Sequence, residues 1–508
     1  MQPLFVYTLP LKTNKTTEKQ LEDKFRIAGD IYKASIKECL RRERAMKKDP
    51  RHKEARKMMK DKNYRRISNI PAKEVSKQDA QWKKKHEKKR NEILRALDVE
   101  YGLAGRFDIS TFANVYRKSR GYMSFQSAVA VKLGERAYRA FEKVKFNKGA
   151  KRVRVKSQVD SMEAGGDYGI YVRNGQLKFK GVDPIPVDYK EDVYEEEALR
   201  NTIKYHRLIR KMVNGKPTYY VQFILDGIPP RESTHNISNT SVGIDIGTSS
   251  IAVSSHYQTE LYKLADEIKS YDDEIRALQR QLDRQRRVNN PDNYNPNGTV
   301  KSGYKKWNNS KRYLKTRDKI ANLKRKQTET RKLAHKTIAN LIVQMGDRFV
   351  VESMSFAGLA ARAKETTINE KTGKFKKKKR FGKSIGFHAP AELIQQIKYK
   401  AEYAGKTFIT ASTATIKASQ LDHSTGGYTK SKLSDRSKTI ANEKVQRDLY
   451  SAFLLEHVLD DGKTVDLEAC LVDFDKFLEN QAFTIDKLIL SGKHSQTMGI
   501  RDFLQDAV

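Results

Sequence analysis

The stretch SVGIDIGTSSIAVSS, residues 241–255, limits what this chain can fold into more than any other. Val242, Ile244 and Ile246 alternate with other residues, and Ile251–Val253 resume an apolar run after Gly247-Thr248-Ser249-Ser250. The pattern predicts two short strands joined by a tight turn, with Asp245 inside the first. A carboxylate in an apolar strand is costly to bury unless it is paired or holds a metal ion. Taken alone, Asp245 could also be a strand end facing solvent. Two further carboxylates shift the balance. In DRFVVESMSF, Glu352 follows the apolar run Phe349-Val350-Val351, a predicted buried strand. In VQRDLYSAFLL, Asp448 opens a predicted helix whose Leu449, Phe453 and Leu454 share one face. Three carboxylates, two on strands and one on a helix, are the donors that a two-metal phosphodiesterase needs for ions roughly 3.5–4 Å apart.

Charge points to the partner. In 508 residues there are 101 Lys and Arg against 62 Asp and Glu, a formal net charge of +39. Such a charge repels itself unless a polyanion neutralises it, so nucleic acid is the expected partner, ahead of a membrane surface. No run reaches the roughly 18 apolar residues of a spanning helix. The start, MQPLFVYTLPLKTNK, lacks the basic leader and cleavage site of a signal peptide. Cys39 and Cys470 cannot build a four-cysteine zinc site; they fit free thiols in a reducing cytosol. The length predicts two to four domains.

In chain order, residues 2–11 read as an edge strand limited by Pro3 and Pro10. Thr17 and Gln20 have capping-box spacing, and Leu21, Phe25, Ala28 and Tyr32 recur at helical spacing. The pattern stays helical and polar-rich to about 149, with a basic run, Lys83, Lys84 and Lys85, on a helix over 82–97. Asn174-Gly175 and Asn214-Gly215 then each sit between alternating runs, the strongest short hairpin signal. Two hairpins and the first strand predict a small barrel, followed by a linker, DGIPPREST, at 226–234. Ile268, Tyr271, Ile275, Leu278 and Leu282 predict a coiled-coil-like seam, followed by Arg284, Arg286 and Arg287. A second basic helix, from about Tyr304 to Met345, carries Lys305, Lys306, Lys324, Arg325 and Lys326. All these cations are candidate phosphate contacts. KTGKFKKKKRFGKSIGF, at 371–387, reads as a basic loop beside the site or as a linker. A helix ended by Gly405, a strand at 406–412 and a loop-like stretch at 418–444 follow. From about 461 the chain is more acidic, with two predicted helices and no interpretable motif.

GIDIGTSS is similar to the first phosphate loop of sugar kinases of the actin and hexokinase superfamily, where the turn cradles phosphate. Those enzymes need further glycine-rich turns. Here the Gly-Gly pairs are Gly165-Gly166 and Gly426-Gly427, neither between a predicted strand and helix, and the net charge is foreign to a metabolic kinase.

In order, with a helical hairpin between the first two, the three carboxylate motifs resemble the RuvC-type nuclease of TnpB proteins. These are transposon-encoded relatives of type V CRISPR effectors. The resemblance runs from the first strand to about residue 460 and is strongest over 241–256, 346–356, 397–408 and 446–455. It implies a multidomain α+β protein with an RNase H-like (RuvC) nuclease domain at 236–412 and 445–460. The other implied parts are a wedge-like β-barrel at 1–13 and 150–235, a helical recognition domain at 14–149, a target-loading insert at 413–444 and a C-terminal tail at 461–508. The implied activity is RNA-guided DNA cleavage, with a guide RNA, a target double-stranded DNA and its displaced strand as partners. Asp245 matches the first catalytic Asp and Glu352 the catalytic Glu. Asp448 matches the final Asp of Asp-Arg-Asp-x-Asn-Ala-Ala, here Gln446-Arg447-Asp448-Leu449-Tyr450-Ser451-Ala452. Together they would hold two magnesium ions, hard cations suited to carboxylate oxygens. Most of the family binds zinc through two Cys-x-x-Cys pairs before the last helix. Residues 413–444 contain no cysteine, and Asp422 and His423 alone do not replace them, so no zinc is expected. A nuclease-inactive, RNA-guided repressor is the other reading. Loss of one carboxylate would favour it, and all three are present.

Overall fold

In the computed structural model the chain divides into two compact units, Met1–Pro230 and Arg231–Val508. The structure describes residues 3–504 except 72–73, 147–149, 151, 156–157, 166–168, 231–238, 267, 363–364, 371–372, 374–380, 431, 433, 493–494 and 496–497. Residues 231–234 of the expected linker and most of the expected basic loop at 371–387 lie outside the described residues.

The first unit opens with β1 (Leu4–Pro10) and continues through α1 (Lys15–Lys48), α2 (Pro50–Met58), α3 (Lys62–Asn69), α4 (Lys77–Glu100), α5 (Arg106–Ser119) and α6 (Ser127–Lys145). The capping box of α1 lies one helical turn before the expected one. Asn14 is the N-cap; its side chain accepts from the Thr17 amide at 2.8 Å, and the Thr17 hydroxyl accepts from the Asn14 amide at 2.9 Å. Asn outranks Thr as a cap, which leaves Thr17 the reciprocal role. Leu21, Phe25, Ala28 and Tyr32 form the buried stripe of α1.

The β-rich part contains β2 (Ser161–Gly165), β3 (Ile170–Arg173), β4 (Gln176–Phe179), β5 (Val182–Pro186), the short helix α7 (Val193–Leu199), β6 (Ile203–Val213) and β7 (Lys216–Asp226). Both predicted hairpins form. Asn174-Gly175 and Asn214-Gly215 all have positive φ, as a two-residue turn matched to strand twist requires. Tyr219, Val221, Phe223 and Leu225 line the buried face of β7 and share one core with the α1 stripe. The expected barrel does not close among the described residues. One antiparallel sheet runs β1-β7-β6-β2, with β1 at its edge, and a second runs β3-β4-β5. Among the described residues they meet at one bridge, Leu11 with Val187, flanked by bonds from the Lys12 amide to the Pro186 carbonyl and from the Asp188 amide to the Pro10 carbonyl, both 2.9 Å. Pro10 and Pro186 have no amide hydrogen, so a longer ladder cannot form at this joint. The other edges, β2 and β3, are unpaired to each other.

The second unit is built on a mixed sheet. β8 (Ser241–Ile246), β9 (Ser250–Ser255) and β10 (Gln258–Lys263) form an antiparallel meander. The chain then leaves through α8 (Asp272–Val288) and returns through α9 (Lys311–Gln344). β11 (Arg348–Glu352) lies parallel to β8. After the short helices α10 (Phe356–Ala360) and α11 (Gly382–His388), α12 (Pro390–Tyr403) crosses to β12 (Thr407–Ala411), parallel to β11. The sheet order is β10-β9-β8-β11-β12, so the first strand of the unit is central. The seam between α8 and α9 is built from Ile275, Ile320 and Leu323 with Tyr271, Leu278 and Leu282.

The chain continues through α13 (Thr413–Ile416), the hairpin β13 (Ser437–Ile440) and β14 (Glu443–Gln446), α14 (Arg447–Glu456), α15 (Leu467–Ser491) and α16 (Arg501–Leu504). The acidic segment after 461 is not peripheral. Cys470, Phe474, Phe477 and Ile485 of α15 are buried in one core with α14.

Candidate active site

Strand alternation assigns the two faces of the sheet different tasks. Val242, Ile244, Ile246, Ile251, Val253, Phe349 and Val351 face the C-terminal part of α9 and the length of α12, where they form a buried apolar core with Ile342, Leu393 and Ile397. The intervening residues face the other way. Ala252 and Val350 pack with Leu449, Ala452 and Phe453 of α14. Asp245 and Glu352 belong to this second set by parity. Parallel pairing of Val351 with Ile244 makes them neighbours on adjacent strands, each one residue further along.

Gly243 brings the helix carrying the third carboxylate down onto this face. A Cβ built there would lie 1.9 Å from the Ala452 carbonyl oxygen and 2.3 Å from the Glu456 amide nitrogen. Only a residue without a side chain permits that approach, and glycine inside a strand is a recognised sign of it. α14 is capped by Gln446, whose side chain accepts from the Leu449 amide at 2.6 Å. Asp448 therefore sits in the first turn, where a carboxylate is favoured by the helix dipole.

Asp245 feels the other two carboxylates. Burial, then the charges of Asp448 and Glu352, push Asp245 well above the usual carboxylate range, and Arg447 works in the opposite direction. Burial also raises Glu352. Asp448 is balanced locally: Arg447 donates to Oδ1 from Nη2 at 3.0 Å and from Nε at 3.2 Å, and Arg436 lies 3.7 Å from Oδ2. The Asp448 and Arg447 side chains are 16% and 13% exposed, so this pair is not a solvent-screened surface bridge. Among the described residues, no three His, Cys, Asp or Glu side chains are gathered closely enough to cage a metal ion. The donor chemistry nevertheless suits a hard divalent cation: burial first, and then the charges of Asp448 and Glu352, hold the Asp245 carboxyl in its protonated form, a cost that a bound cation would offset.

In the segment at 413–444, His423 is an anchor. It is 2% exposed, its Nδ1 lies 2.9 Å from the Tyr450 hydroxyl, and its ring packs tilted against Phe474 at 4.6 Å and edge-on to Phe453 at 5.9 Å. Burial lowers its pKa, which keeps the ring neutral. The segment is thus held to α14 and α15 by aromatic packing.

The basic candidates divide into two groups. Lys84, Lys85, Arg284, Lys306, Lys324 and Lys326 are exposed. The others are engaged within the protein. Lys83 sits over the Tyr64 ring, Arg286 stacks on Trp307 at 3.6 Å, and Arg325 pairs with Glu329. Arg287 binds Asp283 at 2.8 Å and the Gly298 carbonyl at 2.9 Å while covering Tyr294, which fastens the turn between α8 and α9. The Lys305 ammonium donates to the Ser302 carbonyl at 2.6 Å. Sequence reading missed Gly243, Arg436 and Arg447. Gly243 carried a usable signal, a glycine within an apolar strand; the partners of Asp448 did not.

No protein-family model matches the chain, and no curated protein matches it. Among solved structures, the cryo-EM structure of a Cas12f1–sgRNA–target DNA complex matches at 13% identity and a TM-score of 0.41, over 89% of this chain and 98% of that one. The cryo-EM structure of a CRISPR-Cas12f ternary complex matches at 14% identity and a TM-score of 0.22, over the same shares. At these scores neither likeness bears on a residue's role or an activity. No helix among the described residues is long and apolar enough to cross a membrane.

Proposed function

We propose that the chain is an RNA-guided DNA endonuclease whose hydrolytic centre is Asp245, Glu352 and Asp448. One observation carries this reading: strand parity and the parallel register of β8 and β11 put Asp245 and Glu352 side by side, on the face where α14 presents Asp448. An order with the first strand central and two parallel strands added beside it is also that of the RNase H-like fold the resemblance implies. Guide RNA and target DNA as partners are supported by the +39 charge and the exposed cations on α4, α8 and α9. Asp245, Glu352 and Asp448 would hold magnesium. When bound, it supplies positive charge at the scissile phosphate and acidity to the attacking water. Asp245 and Glu352 offer oxygen donors on rigid strands. Asp448 would add a third carboxylate from the first turn of α14, its Oδ1 held by Arg447. The first unit, with its helical module and open sheets, would grip the RNA, and residues 413–444 would load the target strand.

The hold of Arg447 and Arg436 on Asp448 favours a second reading, an RNA-guided DNA binder without nuclease activity. Purification of the full chain with its RNA, sequencing of that RNA and incubation with matching DNA separate the two. Magnesium-dependent cleavage supports the nuclease. Tight guided binding without cleavage supports the binder, and absence of any bound RNA refutes both.

A further inference from the structure

In the first unit, α6 and the residues 152–154 and 158–160 line an open cavity of about 450 Å³. Arg136, Arg139, Lys143, Arg152 and Arg154 line it, and among the described residues the one carboxylate lining it is Asp160. The first three are three and four residues apart on α6, the spacing that stacks side chains on one helix face. Like charges at that spacing repel, and the opposing segment adds two more cations.

Little inside the cavity offsets this charge. Asp160 lies 3.8 Å from Arg210, whose other guanidinium nitrogen binds Glu22 at 2.9 Å. Arg136 covers the Tyr32 ring at 5.9 Å and donates to the Ser161 carbonyl. Arg139 is 3.7 Å from Glu135, a carboxylate that Lys132 already holds at 3.2 Å. Lys143, Arg152 and Arg154 are exposed and have no hydrogen bond or ion pair among the described residues. A concave surface lined with unbalanced charge of one sign concentrates its field on a ligand of the other sign.

We infer that this cavity seats backbone phosphates of a polynucleotide strand, well separated in sequence from the carboxylates on the sheet. The inference rests on the proposed nucleic-acid function for the identity of the polyanion. The cavity has room for a phosphodiester linkage and its sugars but not for a duplex. The lining offers cations to phosphate and the apolar Ala140, Val153 and Val159 to sugar. Contacts of this kind fix a strand's path without reading its sequence.

The test uses the full chain and two fluorescein-labelled probes of one mixed sequence, an RNA and a DNA of about 20 nucleotides. Binding is followed by anisotropy from about 50 to about 300 mM KCl. The variant is Arg139→Gln/Arg152→Gln/Arg154→Gln. Loss of three phosphate contacts flattens the plot of log K against log salt by about 2 and lowers affinity roughly 10- to 100-fold at low salt, alike for different sequences. The effect on RNA alone assigns the cavity to the guide, on DNA alone to the target; either supports the inference. A wild-type slope for both probes overturns it. Should the triple variant lose its thermal transition, Lys143→Gln/Arg154→Gln is measured instead, with a slope change of about 1 expected and none counting against the inference. A wild-type protein that binds neither probe refutes the proposed function itself.

Discussion

Replacement of Gly243 by alanine tests whether the close approach of α14 to β8 builds the site. The added Cβ would meet the Ala452 carbonyl oxygen at 1.9 Å and the Glu456 amide nitrogen at 2.3 Å. Ordinary contact begins at 3.4 Å, so strand and helix must separate by about 1.5 Å at this point. Both clashing groups are backbone and cannot rotate away. Inserting a methyl into a packed interior costs about 1–3 kcal/mol, and an immobile neighbour places this substitution at the upper end. For a unit of this size that is about 5–10 °C in thermal midpoint. The same displacement carries Asp448 away from Asp245 and Glu352, so magnesium-dependent cleavage falls further than stability does. Differential scanning calorimetry and cleavage of guided DNA, at a temperature where the variant is folded, give the two readouts. A Gly243→Ala protein with wild-type midpoint and wild-type cleavage would refute the packing account.

Glu456 is buried against Ser254, and burial raises its pKa to about 8. The folded state then keeps a proton that the unfolded state has released, so its contribution is full below the ordinary carboxylate pKa and is lost as pH rises toward 8. The loss is on the order of 5 kcal/mol. Glu456→Gln removes that fall, and urea unfolding at several pH values checks it; equal pH dependence in both proteins would contradict it. His423→Ala opens a cavity among Tyr450, Phe453 and Phe474 and costs about 2–4 kcal/mol, read from the urea midpoint. An unchanged midpoint would mean the aromatic anchor carries no weight. Replacing Arg284, Lys324 and Lys326 with Gln weakens RNA and DNA binding alike for all sequences while leaving stability unchanged, whereas Arg287→Gln also loosens the turn that it fastens. Anisotropy and limited proteolysis together separate the two effects.

The sequence was most legible where periodicity was strict. Alternation around Asp245, the apolar run before Glu352 and the helical face after Asp448 are local patterns, and the corresponding strands and helix formed. The two Asn-Gly hairpins were legible because that turn needs positive φ at both positions. The barrel was not: whether sheets close depends on pairing between distant strands, and the prolines at the joint allowed only one bridge. The segment after 461 offered no motif because its task is packing; Cys470, Phe474, Phe477 and Ile485 become meaningful only once α14 lies beside them. Cation clusters were misleading in a different way. Sequence shows Arg284, Arg286 and Arg287 as equals, yet two of them are engaged by Trp307, Asp283 and Tyr294. Partners distant in the chain decide which charge is free.

The most direct test of the central claim compares DNA cleavage and DNA binding by the RNA-loaded protein and by Asp245→Asn, Glu352→Gln and Asp448→Asn. Each substitution keeps the shape of the side chain and removes its charge. With magnesium, the unaltered protein should cleave and each variant should lose several orders of magnitude of cleavage, while guided DNA binding is retained and chelator reproduces the loss. Cleavage that persists in all three variants would place the active centre elsewhere and contradict the account.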